Sequence, residues 1–306
     1  MSVRMYEVTP RDGLQNEPKN IPTEDKVELI QRLVHCGYKD IEVTSFVKPS
    51  WIPQLADGDQ VLRRLPEPPP GVRFWSLIPN RRGLERALNV GVKNIATFMS
   101  ASEAHNRKNL NRTQRESLEN VRIVTEMALD EGVEVRAYLS TVFGCPYEGA
   151  VNIQRSVDLV KRLLDIGAQQ ISLGDTTGMG DPILIQDTIV ALENAGVPLS
   201  SLALHLHDTE GSAIANVLAG YQAGIRCFDG STAGVGGCPY APGAAGNVAT
   251  EDVVNMFEKM GVTTGINIDS AAETGVFLSE LLGKELPGRY YRFHQGKRNR
   301  QQQNTA

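Results

Sequence analysis

Short apolar segments alternate with longer amphipathic segments along this chain, and this alternation restricts the fold more than any other feature of the sequence. The short segments have the length and composition of buried strands, whereas the longer ones repeat their apolar residues with a helical period. The predicted strands lie at 4–9, 40–44, 72–77, 92–99, 134–142, 170–173, 202–207 and 226–230. A first helix begins at Thr23 as its N-cap and ends at Gly37, and further helices are predicted at 82–90, 114–131, 152–166, 182–195 and 211–223. Eight successive strand–helix units predict an α/β fold whose parallel sheet closes on itself, a (β/α)8 TIM barrel.

The rest of the chain is predicted to extend this barrel. A doubly wound open sheet is the alternative, but no glycine-rich dinucleotide turn follows the first strand. After residue 248 the periodicity is helical at 248–260 and 268–282, which predicts extra C-terminal helices packed against the barrel. We therefore predict one domain over 1–285 and a polar, disordered tail over 286–306.

Charge and cysteine content exclude several classes of protein. The formal net charge of -5 argues against a nucleic-acid or anionic-membrane partner. No apolar run approaches the ~18 residues that a membrane span needs, and the first residues lack an apolar signal segment. The four cysteines form no CxxC pair, which is typical of a reducing compartment. These features predict a cytoplasmic protein.

Polar residues collect where the predicted strands end. In a TIM barrel the chemistry lies at the carboxyl ends of the strands, where a core without function would have Val, Ile and Leu. The polar residues at or near these ends are Arg11, Asp12, Glu42, Ser45, Arg136, Tyr138, Ser140, Ser172, Asp175, His205, His207 and Asp208. Because they come from five strands, they predict a site at this end of the barrel.

The triplet His205-Leu206-His207 predicts a metal site. Residues two apart on a strand point to the same side, so both imidazoles can reach one ion. Such a triplet alone is often plain structure, but here Asp12 ends another strand and Asn247 could add an amide oxygen. Imidazole and oxygen ligands suit Mg²⁺, Mn²⁺, Co²⁺ or Zn²⁺, and the lack of a thiolate argues against a closed structural zinc site.

The glycine-rich segment 231–247 predicts a long loop that closes over the site as a lid. Cys238 lies in its middle, either as a chance cysteine of a flexible loop or as a thiol that exchanges protons with a substrate. Cys145 follows the fifth strand and is interpreted as structural, whereas Cys36 and Cys227 are interpreted as core residues.

With these motifs the chain resembles the 3-hydroxy-3-methylglutaryl-CoA lyase family over about residues 6–282. The similarity rests on PRDGLQNE at 10–17, IEVTSF at 41–46, ISLGDT at 171–176, HLHDT at 205–209, GGCPY at 236–240 and GNVATED at 246–252. The Arg-Asp-Gly and His-x-His motifs are shared with a wider superfamily of metal-dependent barrels. The cysteine-containing glycine loop is more specific to the lyases.

The resemblance implies metal-dependent cleavage of a 3-hydroxy-3-methylglutaryl thioester to acetyl-CoA and acetoacetate by a homodimer. Implied metal ligands are Asp12, His205, His207 and Asn247. Implied catalytic residues are Arg11 for the enolate, Asp12 or His205 as the base, Glu42 as their support and Cys238 as the lid thiol. Implied substrate-binding residues are Gln15, Ser45, Arg136, Tyr138, Ser172 and Asp175, with Glu251 anchoring the lid.

One departure from the family pattern leaves the identity of the substrate's acyl group undecided. Glu210-Gly211-Ser212 stands where the family usually has Tyr-Gly-Gln, so a related 3-hydroxyacyl-CoA is an alternative substrate. The basic pairs 81–82 and 107–108 could hold coenzyme A phosphates or could be solvated surface. A condensing synthase of the isopropylmalate kind and a non-catalytic metal-binding protein are the further alternatives, and the loop cysteine favours the lyase.

Overall fold

The strands form a closed parallel barrel in which each strand pairs with its neighbours in chain order and the eighth pairs with the first. The computed structural model describes residues 2–237 and 245–305. Strands β1 to β8 are Arg4–Glu7, Asp40–Ser45, Arg73–Leu77, Asn94–Ser100, Glu134–Ser140, Gln170–Asp175, Leu202–Leu206 and Cys227–Gly230. The predicted TIM barrel is confirmed, and the open doubly wound sheet is excluded because the barrel has no free edge.

Helices surround this barrel and extend it at the C-terminal side. Helices α1 to α11 are Thr23–Cys36, Gly58–Arg64, Arg81–Leu88, Glu103–His105, Gln114–Asp130, Ile153–Asp165, Pro182–Asn194, Ala213–Gln222, Thr250–Lys259, Ile268–Leu282 and Arg289–Thr305. Within the part of the chain that the structure describes, no helix has both the length and the hydropathy that crossing a bilayer requires.

The two ends of helix α1 differ in how well the sequence predicts them. Gly37 adopts the left-handed conformation (φ 104°) and donates its N–H to the carbonyl of Val34, as a C-terminal glycine should. The predicted N-cap is wrong, because Pro22 precedes the helix and Thr23 is its first residue. The Thr23 hydroxyl instead donates to Asp57 Oδ2 at 2.7 Å and joins α1 to the start of α2.

Helix α11 differs from the predicted disordered tail. Its first turn is held by Asp252, which accepts the backbone N–H groups of Arg289 and Tyr290 at 3.0 and 2.6 Å. Tyr291 is fully buried against Gly275 of α10, where an added Cβ would lie 2.9 Å from the tyrosine ring. The polar composition hides these anchors, which are two backbone N–H groups and one buried tyrosine.

The core lies mainly between the strands and the helices, where the apolar side chains of both are buried. A smaller cluster fills the barrel interior with Tyr6, Val8, Trp75, Ala203 and Cys227. Cys36 and Cys227 are buried as predicted, and Cys145 is buried with its thiol 3.0 Å from Ser102 Oγ. This packing leaves the carboxyl ends of the strands to the polar residues.

Candidate active site

Three side chains that could bind a metal converge at the carboxyl end of the barrel. Asp12 lies in a short π-helical turn, Thr9–Gly13, that begins directly after β1 with Pro10 in its first turn. His205 lies in β7, and His207 follows that strand and forms a bridge to Asn247. The turn and the strand end therefore bring residues almost 200 positions apart to one point, as the sequence predicts.

The distances among these groups suit a shared ion. The Nε2 atoms of His205 and His207 face each other at 3.2 Å, and Asp12 Oδ2 lies 3.9 Å from His205 Nε2. One ligand atom from each of the three residues lies within 4.8 Å of the other two. The Asn247 amide reaches the same carboxylate, with Nδ2 2.8 Å from Asp12 Oδ2. The four predicted metal ligands are therefore neighbours.

The protonation of these groups matches what a cation requires. Burial, and next the neighbouring His205, lower the pKa of His207 to about 3, so its imidazole is neutral and keeps a lone pair. Burial alone would raise the pKa of Asp12, but the charge of Arg11 and then the imidazoles outweigh it and lower that pKa. His207 Nδ1 is buried and has no hydrogen-bond partner among the described residues. An anionic carboxylate beside facing imidazole nitrogens is a donor set that fits a divalent ion.

Arg11 is held beside this group by two carboxylates and one aromatic ring. Its Nε and Nη2 donate to the two oxygens of Glu42 at 3.0 and 3.2 Å, and Nη1 donates to Asp12. Tyr138 donates its hydroxyl to Glu42 Oε2 at 2.5 Å, and the guanidinium carbon lies 5.3 Å from the Tyr138 ring centroid. A two-point contact with a carboxylate fixes the plane of the guanidinium, so Arg11 provides positive charge at a defined place.

Three other predicted substrate-binding residues lie around the same strand ends. Gln15 donates to Asp12 Oδ1 at 3.0 Å. Ser45 is buried at the end of β2, where its Oγ accepts the Val47 N–H at 3.3 Å. Asp175 accepts the Gly180 N–H at 3.1 Å, and burial raises the pKa of Asp175 to about 6. Gln15 therefore contacts Asp12, one of the candidate metal ligands, whereas Ser45 and Asp175 bind backbone N–H groups of the loops after β2 and β6.

Arg136 and Ser172, the last two predicted substrate-binding residues, have no exposed surface. Their role in binding the acyl group stays a prediction. Arg136 is two residues earlier on β5 than Tyr138 and therefore lies deeper in the barrel, where its guanidinium stacks 3.7 Å from the Tyr6 ring centroid. Ser172 donates its hydroxyl to Asp229 Oδ2 at 2.9 Å.

Asp229 on β8 is the residue that sequence reasoning missed. Its Oδ1 lies 2.5 Å from Arg136 Nη2, and its Oδ2 lies 3.2 Å from His205 Nδ1. Burial alone would raise the pKa of Asp229, but the adjacent charge of Arg136 outweighs it, lowers that pKa and keeps the carboxylate ionised. The sequence signal that could have identified it is a charged residue in a buried strand, two positions after the inward-facing Cys227.

The two ends of the glycine-rich loop are anchored beside the site. Gly237 and Ala245 form a bridge, and an added Cβ at Gly236 would lie 2.7 Å from Asn247 Nδ2. Glu251 is fully buried and accepts the Ala233 N–H on both oxygens, at 3.0 and 2.7 Å. Cys238 lies outside the described residues, so its role stays a prediction.

The predicted phosphate-binding pairs and the divergent turn lie on the surface. Arg81 pairs with Glu85 at 2.9 Å and Arg107 pairs with Glu103 at 2.8 Å, each within one turn of helix. Glu210 is exposed in the turn before α8.

Comparison with known proteins finds relatives that match nearly the whole chain. The family model described as HMGL-like matches residues 2–277. The hydroxymethylglutaryl-CoA lyase of Bacillus subtilis (strain 168) is 47% identical over 287 residues, which are 94% of this chain and 95% of that protein. A crystal structure of the Bacillus subtilis HMG-CoA lyase has a TM-score of 0.94 at 46% identity and covers 96% of this chain and 98% of its own.

A second solved structure carries ligands. The HMG-CoA lyase of Acinetobacter baumannii, in complex with coenzyme A and 3-methylmalate, is 37% identical with a TM-score of 0.90 and covers 95% of this chain and 94% of its own. Together with the converging metal-binding residues, these similarities show that the chain belongs to the HMGL-like family.

Proposed function

We propose that this protein is a hydroxymethylglutaryl-CoA lyase that cleaves 3-hydroxy-3-methylglutaryl-CoA to acetyl-CoA and acetoacetate. The observation that carries the proposal is the convergence of Asp12, His205 and His207 beside the Arg11–Glu42 pair. The relatives named as lyases with this activity, at 42–48% identity over most of the chain, support the reaction. The related structure that holds coenzyme A and 3-methylmalate supports an acyl-CoA substrate.

Asp12, His205, His207 and Asn247 would hold one divalent ion. Mg²⁺ or Mn²⁺ suits this set of nitrogen and oxygen ligands, and Co²⁺ or Zn²⁺ is compatible with it. The ion, when bound, supplies Lewis-acid chemistry that lowers the pKa of a hydroxyl it contacts. The chain itself supplies the base, the charge that stabilises the enolate and the proton that completes the product.

The reaction breaks the bond between C2 and C3 of the acyl group. Asp12 or His205 takes the proton of the tertiary 3-hydroxyl, a carbonyl forms at C3, and the electrons of the broken bond pass to the thioester as an enolate. Arg11, fixed by Glu42, provides positive charge for the enolate oxygen, and one such preorganised donor is worth ~10²–10³ in kcat. Cys238 or a water returns a proton to C2, which gives the methyl group of acetyl-CoA.

We also propose a cytoplasmic homodimer. Neither the condensing synthase nor the non-catalytic alternative is favoured by a contact among the described residues. The related 3-hydroxyacyl-CoA alternative rests on Glu210, which is exposed in the turn before α8. Light scattering after size-exclusion chromatography tests the dimer directly.

A coupled assay that follows acetoacetate release from 3-hydroxy-3-methylglutaryl-CoA tests the reaction. We expect turnover of about one per second or faster, lost in Asp12→Asn and retained in Asp59→Asn, which removes an exposed carboxylate on α2. No release from a protein that still binds Mn²⁺ would contradict the substrate and direct the search to other 3-hydroxyacyl-CoAs.

A further inference from the structure

A buried ion pair lies directly beneath the candidate metal site. Arg136 and Asp229 both lack meaningful exposure, and the guanidinium also stacks on Tyr6. The desolvation of two buried charges can exceed their attraction, so such a pair is weak evidence of a purely stabilising role. Arg136 Nε and Nη1 also have no partner among the described residues, which adds to the cost. The stability of the barrel alone therefore does not account for the pair.

The second oxygen of Asp229 indicates what the pair does. Strands β7 and β8 place His205 and Asp229 side by side in register. Asp229 Oδ2 lies 3.2 Å from His205 Nδ1 and also accepts the Ser172 hydroxyl at 2.9 Å. Asp229 is paired with Arg136 and accepts from Ser172, and a carboxylate held in this way accepts hydrogen bonds, so we assign the proton of the contact to His205 Nδ1. The other nitrogen, Nε2, then presents its lone pair to Asp12 and His207.

The contacts of Arg136 complete this arrangement. Its Nη2 binds Oδ1 and leaves Oδ2 directed at His205. The stack on Tyr6 fixes the guanidinium from one face, so neither member of the pair is free to rotate. Asp12 is oriented differently, by Arg11 and Gln15, so His205 is the ligand that depends on the pair.

We propose that the Arg136–Asp229 pair is a positioning unit that fixes the tautomer and orientation of His205 for metal binding. The proposal rests on the metal site of the proposed function. Neither residue touches substrate; both act through His205. Partners of this kind typically change metal affinity by ~10–100-fold when they are removed.

The variant Asp229→Asn tests the unit, because the amide keeps the shape of the side chain and can donate or accept at Nδ1. The tautomer is measured by ¹⁵N NMR of the metal-free, substrate-free protein, in which only five histidines contribute signals. Comparison with His205→Gln assigns the His205 signals. Mn²⁺ affinity is measured by electron paramagnetic resonance. Asp40→Asn is the matched control, since Asp40 is equally buried and arginine-paired but lies at the opposite end of the barrel.

We expect one Nδ1-protonated tautomer of His205 in the parent, its loss in Asp229→Asn, and Mn²⁺ affinity at least ~10-fold weaker than in the parent and in Asp40→Asn. An unchanged tautomer or parent-like Mn²⁺ affinity in Asp229→Asn would overturn the proposal. If that variant does not fold, the double variant Arg136→Met/Asp229→Asn removes both buried charges and is judged by the same two results. Because the tautomer is measured without metal or substrate, a wrong assignment of the reaction would leave this result unaffected.

Discussion

Replacing Arg11 by Met should separate the catalytic contribution of this residue from its structural one. The change removes the fixed charge beside the metal group, and loss of one preorganised donor lowers kcat by ~10²–10³, or about 2.7–4 kcal/mol. It also leaves Glu42 with 0% exposure and without its charged partner, so that Tyr138 is its one remaining side-chain donor among the contacts described above. Breaking a buried pair in this way costs about 3–5 kcal/mol of unfolding free energy.

The double variant Arg11→Met/Glu42→Gln distinguishes the two losses. Neutralising Glu42 removes the unpaired charge, so the double variant should recover most of the lost unfolding free energy, as measured by urea unfolding. Its kcat, measured at saturating metal and substrate, should stay low. Arg11 also orients Asp12, so metal affinity is measured separately and kcat is compared only at metal saturation. A single variant with kcat within about threefold of the parent, or a double variant with restored kcat, would refute the reasoning.

Three further predictions concern other parts of the molecule. Burial raises the pKa of Glu7 to about 7, above its unfolded value, so its stabilising contribution is present in full below the unfolded pKa and is lost as pH rises through 7. The unfolding free energy measured in urea should therefore fall by about 3 kcal/mol, through this group, as the pH rises past 7. A Glu7→Gln variant with the same dependence of unfolding free energy on pH would contradict this. Cys238→Ser should slow turnover strongly while Mn²⁺ affinity stays unchanged, and equal activity would remove the thiol from the mechanism. Tyr291→Ala should lower the unfolding free energy by about 3 kcal/mol and expose 289–305 to proteases, whereas parent-like protease resistance would show that α11 does not depend on this anchor.

The barrel and the position of the metal site follow from sequence for the same physical reason. Parallel strands with helices between them have one chain direction, so all their carboxyl ends lie on one side of the barrel. Asp12 and His207 each follow or end a predicted strand, and they must therefore approach each other whatever the details of packing. Asn247 follows the long glycine-rich loop after β8 and joins them through its bridge to His207.

Sequence patterns fail where a side chain is used at a different depth or by a distant partner. Arg136 and Tyr138 share one face of β5, but two residues of strand separate them along the barrel axis, so one lies in the interior and the other at the site. The contacts of Asp229 are with residues from three other strands, and no local sequence pattern reveals such contacts. Thr23 likewise resembles an N-cap in sequence but is bound to Asp57 in the structure.

We predict that cleavage requires one divalent ion held by Asp12, His205 and His207. The most direct measurement strips the protein with chelator and then titrates Mn²⁺ while following both ion occupancy and acetoacetate release from 3-hydroxy-3-methylglutaryl-CoA. We predict no release from the metal-free protein and recovery in proportion to occupancy, complete at one ion per chain. Full turnover without metal, or occupancy of this site without any release, would contradict it.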